Sequence, residues 1–239
     1  MISVCIATYN GEKYVKEQID SILPQLSEAD EIIVSDDGSI DSTLQIVRNF
    51  ADSRIKIVTN VLGKGVNHNF ENALNNAQGD ILFLADQDDI WLPNKVSVCI
   101  DDLNHCDLVV SNCIVIDGND NVIYPSYFDI AKSGNGFFKN LYRSTYLGCC
   151  LAFKREALDK ILPIPNSLLL FHDWWFGFMS EVYLKVSFNP TPCMYYRRHN
   201  ETNSKTVSKS ELSLYNKLRY RLQLLFLGFQ RIIKIKLKL

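Results

Sequence analysis

The stretch that decides the fold is residues 81–89, ILFLADQDD, in which five apolar residues are followed by four polar ones. This pattern is typical of a buried strand that ends at the edge of a sheet. Asp86 and Asp88 are two residues apart, so on an extended chain their side chains point the same way. Such carboxylate pairs suit a divalent cation such as Mg²⁺ or Mn²⁺. A solvated acidic turn in which Asp89 caps the next segment explains the same residues.

Two upstream segments show the same pattern of an apolar run followed by polar residues. Residues 2–7 form an apolar run followed by Thr8-Tyr9-Asn10, and the strand-like residues 31–35 are followed by Asp36-Asp37. Each polar cluster alone is also an ordinary turn. Because ligands of an open parallel sheet bind at the carboxyl ends of its strands, the three clusters together predict one binding site.

Helical patterns separate these strands. Apolar residues recur every three or four positions over residues 15–26, and further helices are expected over 43–50 and around 70–77, with a strand at 55–59 between them. Strands that alternate with helices predict an α/β domain with a parallel sheet and right-handed crossovers. The expected fold class is therefore α/β.

The second half is less regular. Strands are expected over residues 108–116, 148–154 and 186–189, with a hairpin turn at 117–121. An aromatic helix is expected to begin at His172. This half is expected to add antiparallel or mixed pairing to the parallel sheet.

The formal net charge of −2 hides an asymmetry. Residues 1–204 carry 16 Lys and Arg against 26 Asp and Glu, whereas residues 205–239 carry nine basic residues and one acid. Hydrophobic content of 47% and charged content of 22% exclude a disordered chain. The acidic body argues against a nucleic-acid partner, because phosphate contacts need a basic surface.

Cysteine usage and hydropathy indicate the compartment. The seven cysteines form no Cys-x-x-Cys pair, so buried reduced thiols in a cytoplasmic protein are expected. No run of 18 apolar residues predicts a transmembrane helix, and the N-terminus shows no secretory signal.

Three motifs carry a resemblance to a known family. Residues 2–11 (ISVCIATYNG), 35–39 (SDDGS) and 85–93 (ADQDDIWLP) resemble, in that order, the family 2 glycosyltransferases with the GT-A fold. The resemblance covers residues 1 to about 200 and is strongest to bacterial rhamnosyltransferase-like members of surface polysaccharide synthesis. It implies a mixed, mostly parallel central sheet flanked by helices. The implied activity is inverting transfer of a sugar from a UDP- or dTDP-sugar donor to a hydroxyl of a saccharide or lipid-linked saccharide.

The resemblance also assigns roles to individual residues, with Mn²⁺ or Mg²⁺ as cofactor. It implies a metal site formed by Asp86, Asp88 and His199, and Asp173 as the general base. The implied nucleotide-binding residues are Thr8, Tyr9, Asn10, Asp36, Asp37, Gly65, Asp86 and Arg197.

The base assignment has an alternative. Asp173 lies in His172-Asp173-Trp174-Trp175, where a carboxylate also serves as a helix N-cap. Arg197-Arg198-His199 resembles the family's Arg-x-His segment, in which the basic residues reach the diphosphate. The glycine that usually follows that histidine is absent, since the chain continues with Asn200.

These inferences define the expected organisation. Residues 1–204 form a catalytic domain, with a nucleotide-binding half at 1–105 and an acceptor half at 106–204, and residues 205–239 form a basic amphipathic tail. The tail is expected to contact the inner face of the cell membrane; a helix packed on the body and a linker to a further segment are the alternatives. Its last residues, 233–239, alternate with period two, unlike the helical spacing before them.

Two other functions compete with glycosyl transfer. A sugar-phosphate nucleotidyltransferase also uses paired aspartates on an α/β sheet, but it needs a Gly-rich loop that residues 7–13 lack. A pseudoenzyme that binds a nucleotide-sugar, or that scaffolds other enzymes, needs no base. The presence of Asp86, Asp88 and Asp173 argues against this second alternative.

Overall fold

The computed structural model describes residues 1–199 and 213–237. Its described residues form nine strands in one sheet, which are β1 (Ile2–Thr8), β2 (Glu31–Asp36), β3 (Ile55–Thr59), β4 (Ile81–Asp86), β5 (Ile90–Trp91), β6 (Leu108–Asp117), β7 (Val122–Tyr124), β8 (Leu151–Lys154) and β9 (Val186–Arg198). All the strands expected from the sequence are present.

Nine α-helices lie among the same residues. They are α1 (Val15–Ile22), α2 (Thr43–Arg48), α3 (Val66–Asn76), α4 (Lys95–Leu103), α5 (Tyr127–Ala131), α6 (Phe137–Tyr142), α7 (Leu158–Ile161), α8 (His172–Tyr183) and α9 (Leu214–Leu237). The aromatic helix begins at His172, as its sequence indicates.

The strand order is β3-β2-β1-β4-β8-β6-β9-β5, with β7 paired to β6. The strands β3, β2, β1 and β4 are parallel, β8 runs antiparallel to both β4 and β6, and β6 pairs in parallel with β9. The expectation of a mixed, mostly parallel α/β sheet is confirmed. The short β5 pairs with β9, so the two halves of the chain share this sheet.

The parallel register brings the polar clusters together. Thr8 is the partner of Asp36, and Ala7 is the partner of Asp86, so the ends of β1, β2 and β4 are neighbours. The central strands are apolar on both faces because they are covered on both sides, as is usual for parallel sheets.

Strand β9 is longer than the sequence indicates. The predicted strand ended at Asn189, just before Pro190 and Pro192, which lack the N–H that a ladder needs. The sheet accommodates them by register shifts beside Asn112, whose Nδ2 donates to the carbonyl oxygen of Pro190 over 3.0 Å. The strand therefore continues to Arg198 and delivers His199 to the sheet edge.

Residues 148–150 were expected to begin a strand but form a 3-10 turn, and β8 starts only at Leu151. The period-two pattern at the chain end was also misleading, because α9 is helical through residue 237. Leu224 of α9 is buried, and Gly228 lies against the ring of Phe178 in α8. The boundary expected at residues 204–205 lies outside the described residues.

All seven cysteines are buried free thiols, as expected. Among the described helices, none is both long enough and apolar enough to cross a membrane.

Candidate functional site

A cavity of about 1170 Å³ lies at the carboxyl ends of β1, β2 and β4. Its wall includes most of the residues expected at the site, namely Thr8, Tyr9, Asn10, Asp37, Gly65, Asp86, Asp88, Asp173 and His199. Two expected nucleotide-binding residues, Asp36 and Arg197, are not in that wall. Their side chains instead form hydrogen bonds and ion pairs within the loops around the cavity.

Asp36 is buried and organises the turn after β2. Its Oδ1 accepts hydrogen bonds from the backbone N–H groups of Gly38 and Ser39, over 3.0 and 2.8 Å. Its Oδ2 accepts from the hydroxyls of Thr8 and Ser39. The carboxylate is therefore occupied by the protein, and the structure does not bring it to the cavity.

Asp37 faces the cavity and also holds the loop that leads into α3. Its Oδ1 accepts from Nδ2 of Asn60 and its Oδ2 from the backbone N–H of Gly65, each over 2.8 Å. Gly65 has φ = 108°, which a residue with a Cβ rarely adopts, and it begins α3. Lys64 donates to the carbonyl oxygen of Asp37. This contact positions Lys64 near the ring of Tyr9, 5.8 Å from its centroid.

Gln87 joins the first polar cluster to the third. Its Oε1 accepts from the N–H of Tyr9 over 2.9 Å, and its Nε2 donates to the carbonyl oxygen of Tyr9 over 3.1 Å. The ring of Tyr9 is left 53% exposed at the cavity mouth. Sequence reasoning gave Gln87 no role, although an amide between two aspartates is the signal that identifies it.

The candidate metal centre is acidic and crowded. Nε2 of His199 lies 2.8 Å from Oδ2 of Asp88, and Asp86 lies beside them in the cavity wall. Burial, and next the negative charges of Asp88 and Asp173, raise the pKa of Asp86 to about 7. Two carboxylates and an imidazole are ligands that Mn²⁺ and Mg²⁺ accept, and a cation offsets the repulsion among the carboxylates. The chemistry of these three residues therefore fits the expected metal, although the three side chains whose ligand atoms lie within 4.8 Å of one another are those of Asp86, Asp89 and Cys149.

Cys149 is a neighbour of this centre that the sequence did not indicate. Its Sγ and one oxygen from each of Asp86 and Asp89 lie within 4.8 Å of one another. The thiol lines the same cavity and is buried.

Arg197 lies behind the acidic loop and is 2% exposed. Its guanidinium pairs with Glu17 of α1 and with Asp120 of the turn between β6 and β7. Its Nε donates to the carbonyl oxygen of Asp88 over 2.9 Å, and its backbone N–H donates to Oδ1 of Asp89 over 3.0 Å. Arg197 thus supports the loop from beneath and does not line the cavity.

Two lysines line the cavity where Arg197 was expected to act. Lys64 lies near Tyr9, and Nζ of Lys13 lies 4.7 Å from the ring centroid of Tyr14. Both can approach a bound anion without breaking the ion pairs of Arg197. Lys13 follows the turn residues Asn10 and Gly11, and Lys64 lies between Gly63 and Gly65, so both are in loops that the sequence indicates.

Asp173 is in the first turn of α8 and is largely buried in the cavity wall. Its Oδ1 accepts from the N–H of Trp174 over 2.8 Å, whereas the N-cap position belongs to Phe171. The capping alternative is therefore wrong. Burial raises the pKa of Asp173 to about 7, which suits a group that accepts a proton near neutrality.

Comparisons with known proteins identify the family of this chain. The model of glycosyl transferase family 2 matches residues 3–162, which contain the three polar clusters. The chain belongs to glycosyl transferase family 2. Asp173 and His199 lie beyond the matched residues, so the match does not test their predicted roles.

Two curated relatives illustrate the family. The chain is 35% identical, over 72% of its length, to the Escherichia coli UDP-Glc:alpha-D-GlcNAc-diphosphoundecaprenol beta-1,3-glucosyltransferase WfgD, and it spans 65% of that protein. It is 31% identical, over 89% of its length, to the Shigella flexneri dTDP-rhamnosyl transferase RfbG, of which it spans 78%. The resemblance to polysaccharide-synthesis members is confirmed.

The fold also matches solved structures. The mannosyltransferase PcManGT from Pyrobaculum calidifontis, in complex with GDP-Man and Mn²⁺, has a TM-score of 0.60 at 21% identity. The match covers 98% of this chain and 64% of that one. The GT-A fold expected from the motifs is confirmed.

Proposed function

We propose that this chain is an inverting, metal-dependent glycosyltransferase that moves a hexosyl or deoxyhexosyl group from a UDP- or dTDP-sugar to a saccharide or lipid-linked saccharide. One observation carries the proposal. Asp173, a largely buried carboxylate whose pKa is raised to about 7, lines the same cavity as Asp86, Asp88 and His199. A proton acceptor and a cation site in one cavity are what a single displacement at a sugar carbon needs.

The nucleoside end of the donor is assigned to the mouth of the cavity. Tyr9 offers an exposed ring for a base, and Asp37 and Gly65 form the adjoining edge. Thr8 and Asn10 complete this wall, and Asp86 would adjoin the ribose. The two curated relatives use UDP-glucose and a dTDP-rhamnosyl donor by name, which supports a uridine or thymidine donor.

The diphosphate end is assigned to the acidic centre. Asp86, Asp88 and His199 would hold Mn²⁺ or Mg²⁺, which supplies positive charge to the departing nucleoside diphosphate. Lys13 and Lys64 line the same cavity and would add ammonium groups to its wall. Support comes from the donor set itself and from the Mn²⁺ bound in the structurally similar mannosyltransferase.

The proton transfer is assigned to Asp173. Its carboxylate accepts the proton of the acceptor hydroxyl as that oxygen attacks the anomeric carbon, and the bond to the diphosphate breaks. One displacement of this kind inverts the anomeric centre. The hydrogen bond from the Trp174 N–H fixes the carboxylate, and Nε1 of Trp175 donates to the carbonyl oxygen of Ile161 over 2.7 Å, which anchors this turn.

The C-terminal helix supports contact with a membrane surface. Seven apolar residues of α9, each 54–83% exposed, recur at helical spacing and form an outer stripe: Leu214, Leu218, Leu222, Phe226, Phe229, Ile233 and Leu237. The helix contains six Lys or Arg residues and no acid over 214–237. An apolar stripe accompanied by cations fits an anionic lipid surface.

This arrangement would bring the cavity to a lipid-linked acceptor at the cytoplasmic side of the membrane. The opposite face of α9 is packed on the body through Leu224 and Gly228, so the helix and the body would dock as one unit. The packed helix and the membrane helix of the sequence hypotheses are therefore compatible.

The decisive experiment is release of nucleoside diphosphate from UDP-glucose or dTDP-rhamnose with Mn²⁺ and a diphosphoundecaprenol-linked sugar. Product formation supports the enzyme, and anomeric analysis of the product tests inversion. Tight binding of a donor without release of any nucleoside diphosphate would favour the pseudoenzyme. No observation in the cavity favours a nucleotidyltransferase.

A further inference from the structure

Arg221 of α9 connects the C-terminal helix to the helix that carries Asp173. Its guanidinium carbon lies 6.0 Å from the ring centroid of Trp174, the residue that follows Asp173 in the first turn of α8. The same carbon lies 5.1 Å from the ring centroid of Tyr142, the last residue of α6. The guanidinium therefore lies against two aromatic rings, one of which belongs to the residue next to the proposed base.

The protein uses only part of the hydrogen-bonding capacity of this guanidinium. Its Nε and Nη2 donate to the carbonyl oxygen of Tyr142, and its Nη1 donates to that of Lys217 over 2.7 Å. A guanidinium has five N–H groups, so one on Nη1 and one on Nη2 remain outside these bonds. Within residues 1–199 and 213–237, no carboxylate pairs with it. The side chain is half-buried and Tyr142 is 74% exposed, so a ligand can approach from solvent.

The same turn of α9 borders the loop that leads to Asp173. Gln223 accepts from the backbone N–H of Leu169 over 3.1 Å and donates to the carbonyl oxygen of Ser167 over 2.6 Å. The loop continues to Phe171, which lines the cavity and is 42% exposed. The guanidinium itself is not in the cavity wall. It therefore lies outside the cavity, near the elements that carry the proposed base.

The surroundings of Arg221 favour an anion that carries an apolar chain. Arg143 is exposed beside the same loop end, Lys217 lies one helical turn before Arg221, and α9 contains no acid. Leu218 and Leu222 of the outer stripe neighbour Arg221 on the helix, and each is 56% exposed. Cationic groups next to exposed leucines match an amphiphile with a phosphate head and a hydrocarbon tail.

We propose that Arg221 binds a phosphate of a lipid-linked acceptor, beside Tyr142 and Trp174. The inference rests on the proposed function, and it narrows the acceptor to a sugar that is joined to its lipid through phosphate or diphosphate. The guanidinium is suited to paired contacts with phosphate oxygens. In such an acceptor one sugar ring separates the attacking hydroxyl from the phosphate, which suits a base and a guanidinium on either side of Trp174. The lipid chain then follows the outer stripe of α9.

The test compares two soluble acceptors that carry the same short phenoxyalkyl chain. One is α-GlcNAc joined through a diphosphate, as in the acceptor that the Escherichia coli relative is named for, and the other is the plain alkyl α-GlcNAc glycoside. Both are offered with UDP-glucose or dTDP-rhamnose and Mn²⁺, without any lipid, because a bilayer phosphate has the same chemistry. We expect the wild type to prefer the diphosphate acceptor.

Arg221→Gln should abolish this preference. Its KM for the diphosphate acceptor should rise roughly 10- to 100-fold, the range for a lost hydrogen bond to a charged group. Its KM for the glycoside and its Kd for UDP should keep the wild-type values. Arg221→Lys, which keeps the charge but not the planar fork, should recover part of the loss.

Arg231→Gln is the matched control. Arg231 is on the same helix and also donates to a carbonyl oxygen, that of Asp159 over 2.8 Å, but it is ten residues further along α9. This variant should leave the KM of both acceptors unchanged. If Arg221 only clamps α9 to Tyr142, Arg221→Gln would instead raise the KM of both acceptors alike and lower the thermal midpoint, which would overturn the proposal.

Two further results would overturn it. One is a wild-type enzyme that shows no preference for the diphosphate acceptor. The other is an Arg221→Gln variant that loses binding to phosphatidylglycerol vesicles but keeps its KM for the diphosphate acceptor, which would assign the guanidinium to the bilayer surface. A wild-type protein that neither binds nor hydrolyses a donor would contradict the proposed function itself, so the two failures are distinguishable.

Discussion

Nε2 of His199 lies 2.8 Å from Oδ2 of Asp88, although 111 positions separate the two residues. The contact exists because β9 extends through two prolines to Arg198 and pairs with β5, the short strand that follows Asp88. It joins the end of one half of the chain to the acidic loop of the other. The same pair is the core of the proposed metal site.

Replacing one metal-ligating side chain should abolish the metal dependence of donor binding. We expect Asp88→Asn or His199→Ala to weaken Mn²⁺-supported UDP binding at least tenfold, because each variant removes one ligand atom of the proposed site. Thermal shift with UDP, with and without Mn²⁺, measures the effect, since a bound ligand stabilises by mass action. Asp101→Asn, at an exposed position of α4, is the matched control. A Mn²⁺-dependent shift of wild-type size in either variant would contradict the site.

Removing the base should separate binding from chemistry. Asp173→Asn keeps the oxygen that accepts from the Trp174 N–H but cannot take a proton. We expect UDP-sugar affinity within a few-fold of wild type and a turnover lower by about 10²- to 10⁴-fold. Asp159→Asn, at an exposed position of α7, should leave both values unchanged. Substantial turnover in Asp173→Asn would eliminate this residue as the base.

The pH profile should reflect the raised pKa values of Asp173 and Asp86, both about 7. Both roles need the ionised carboxylate, so kcat/KM should rise as pH increases through 7 and then level off. Because a bound cation favours ionisation, excess Mn²⁺ should move the rise to lower pH. A profile that is flat between pH 5 and 8 would contradict both assignments.

The buried carboxylate of Asp173 should also lower the stability of the folded protein. Its folded-state pKa lies above the unfolded value of 3.8, so the folded protein holds a proton that the unfolded chain has released. Stability should therefore fall as pH rises from about 4 to 7 and change little above that. Asp173→Asn should raise the thermal midpoint at pH 8 by about 2–4 °C for each kcal/mol recovered, and should raise it less at pH 5. An equal rise in the thermal midpoint at pH 5 and at pH 8 would contradict the link between the protonation of Asp173 and stability.

Arg197 should affect stability and UDP binding indirectly, through the acidic loop that contains Asp88. Arg197→Lys keeps the charge but loses the planar fork that reaches Glu17, Asp120 and Asp88. We expect a thermal midpoint lower by about 3–10 °C and weaker Mn²⁺-supported UDP binding. Arg48→Lys, on an exposed position of α2, controls for the substitution itself. Normal stability with a selective loss of UDP affinity would instead indicate direct contact with the diphosphate.

The outer stripe of α9 should govern association with lipid. Replacing Leu218, Leu222 and Phe226 with serine should release the protein from phosphatidylglycerol vesicles in a co-sedimentation assay. Wild-type binding should weaken in phosphatidylcholine vesicles and at high salt, because screening reduces the attraction of the cations to the surface. Gln230→Ser is the exposed control on the same helix. Wild-type protein that fails to bind anionic vesicles would refute the membrane proposal.

Local pattern predicted the strands of the nucleotide half well and was less accurate in the second half. The apolar runs before Thr8, Asp36 and Asp86 predicted β1, β2 and β4. A parallel strand that is buried on both faces consists of consecutive apolar residues, so it can be recognised from a short segment of sequence. Strand β9 was predicted too short because its prolines are accommodated only by register shifts in its pairing with β6. The pattern at residues 148–150 gave a strand where the chain forms a 3-10 turn.

The site shows the same limit at the level of side chains. Sequence identifies which residues carry charge but not where each charge points. Asp36 and Asp37 are adjacent and chemically identical, yet only Asp37 lines the cavity. Lys64 and Gln87 take their places through contacts with Tyr9, which is distant from both along the chain.

The partners of Arg197 set a rule for recombining this chain with its relatives. A crossover near residue 105 would transplant the arginine together with Asp120 but would leave Glu17 and the carbonyl of Asp88 in the recipient. A hybrid with an unmatched residue at position 17 would place a guanidinium in the interior with part of its counter-charge missing. Glu17 and Arg197 should therefore be inherited as a unit in any library that shuffles acceptor specificity.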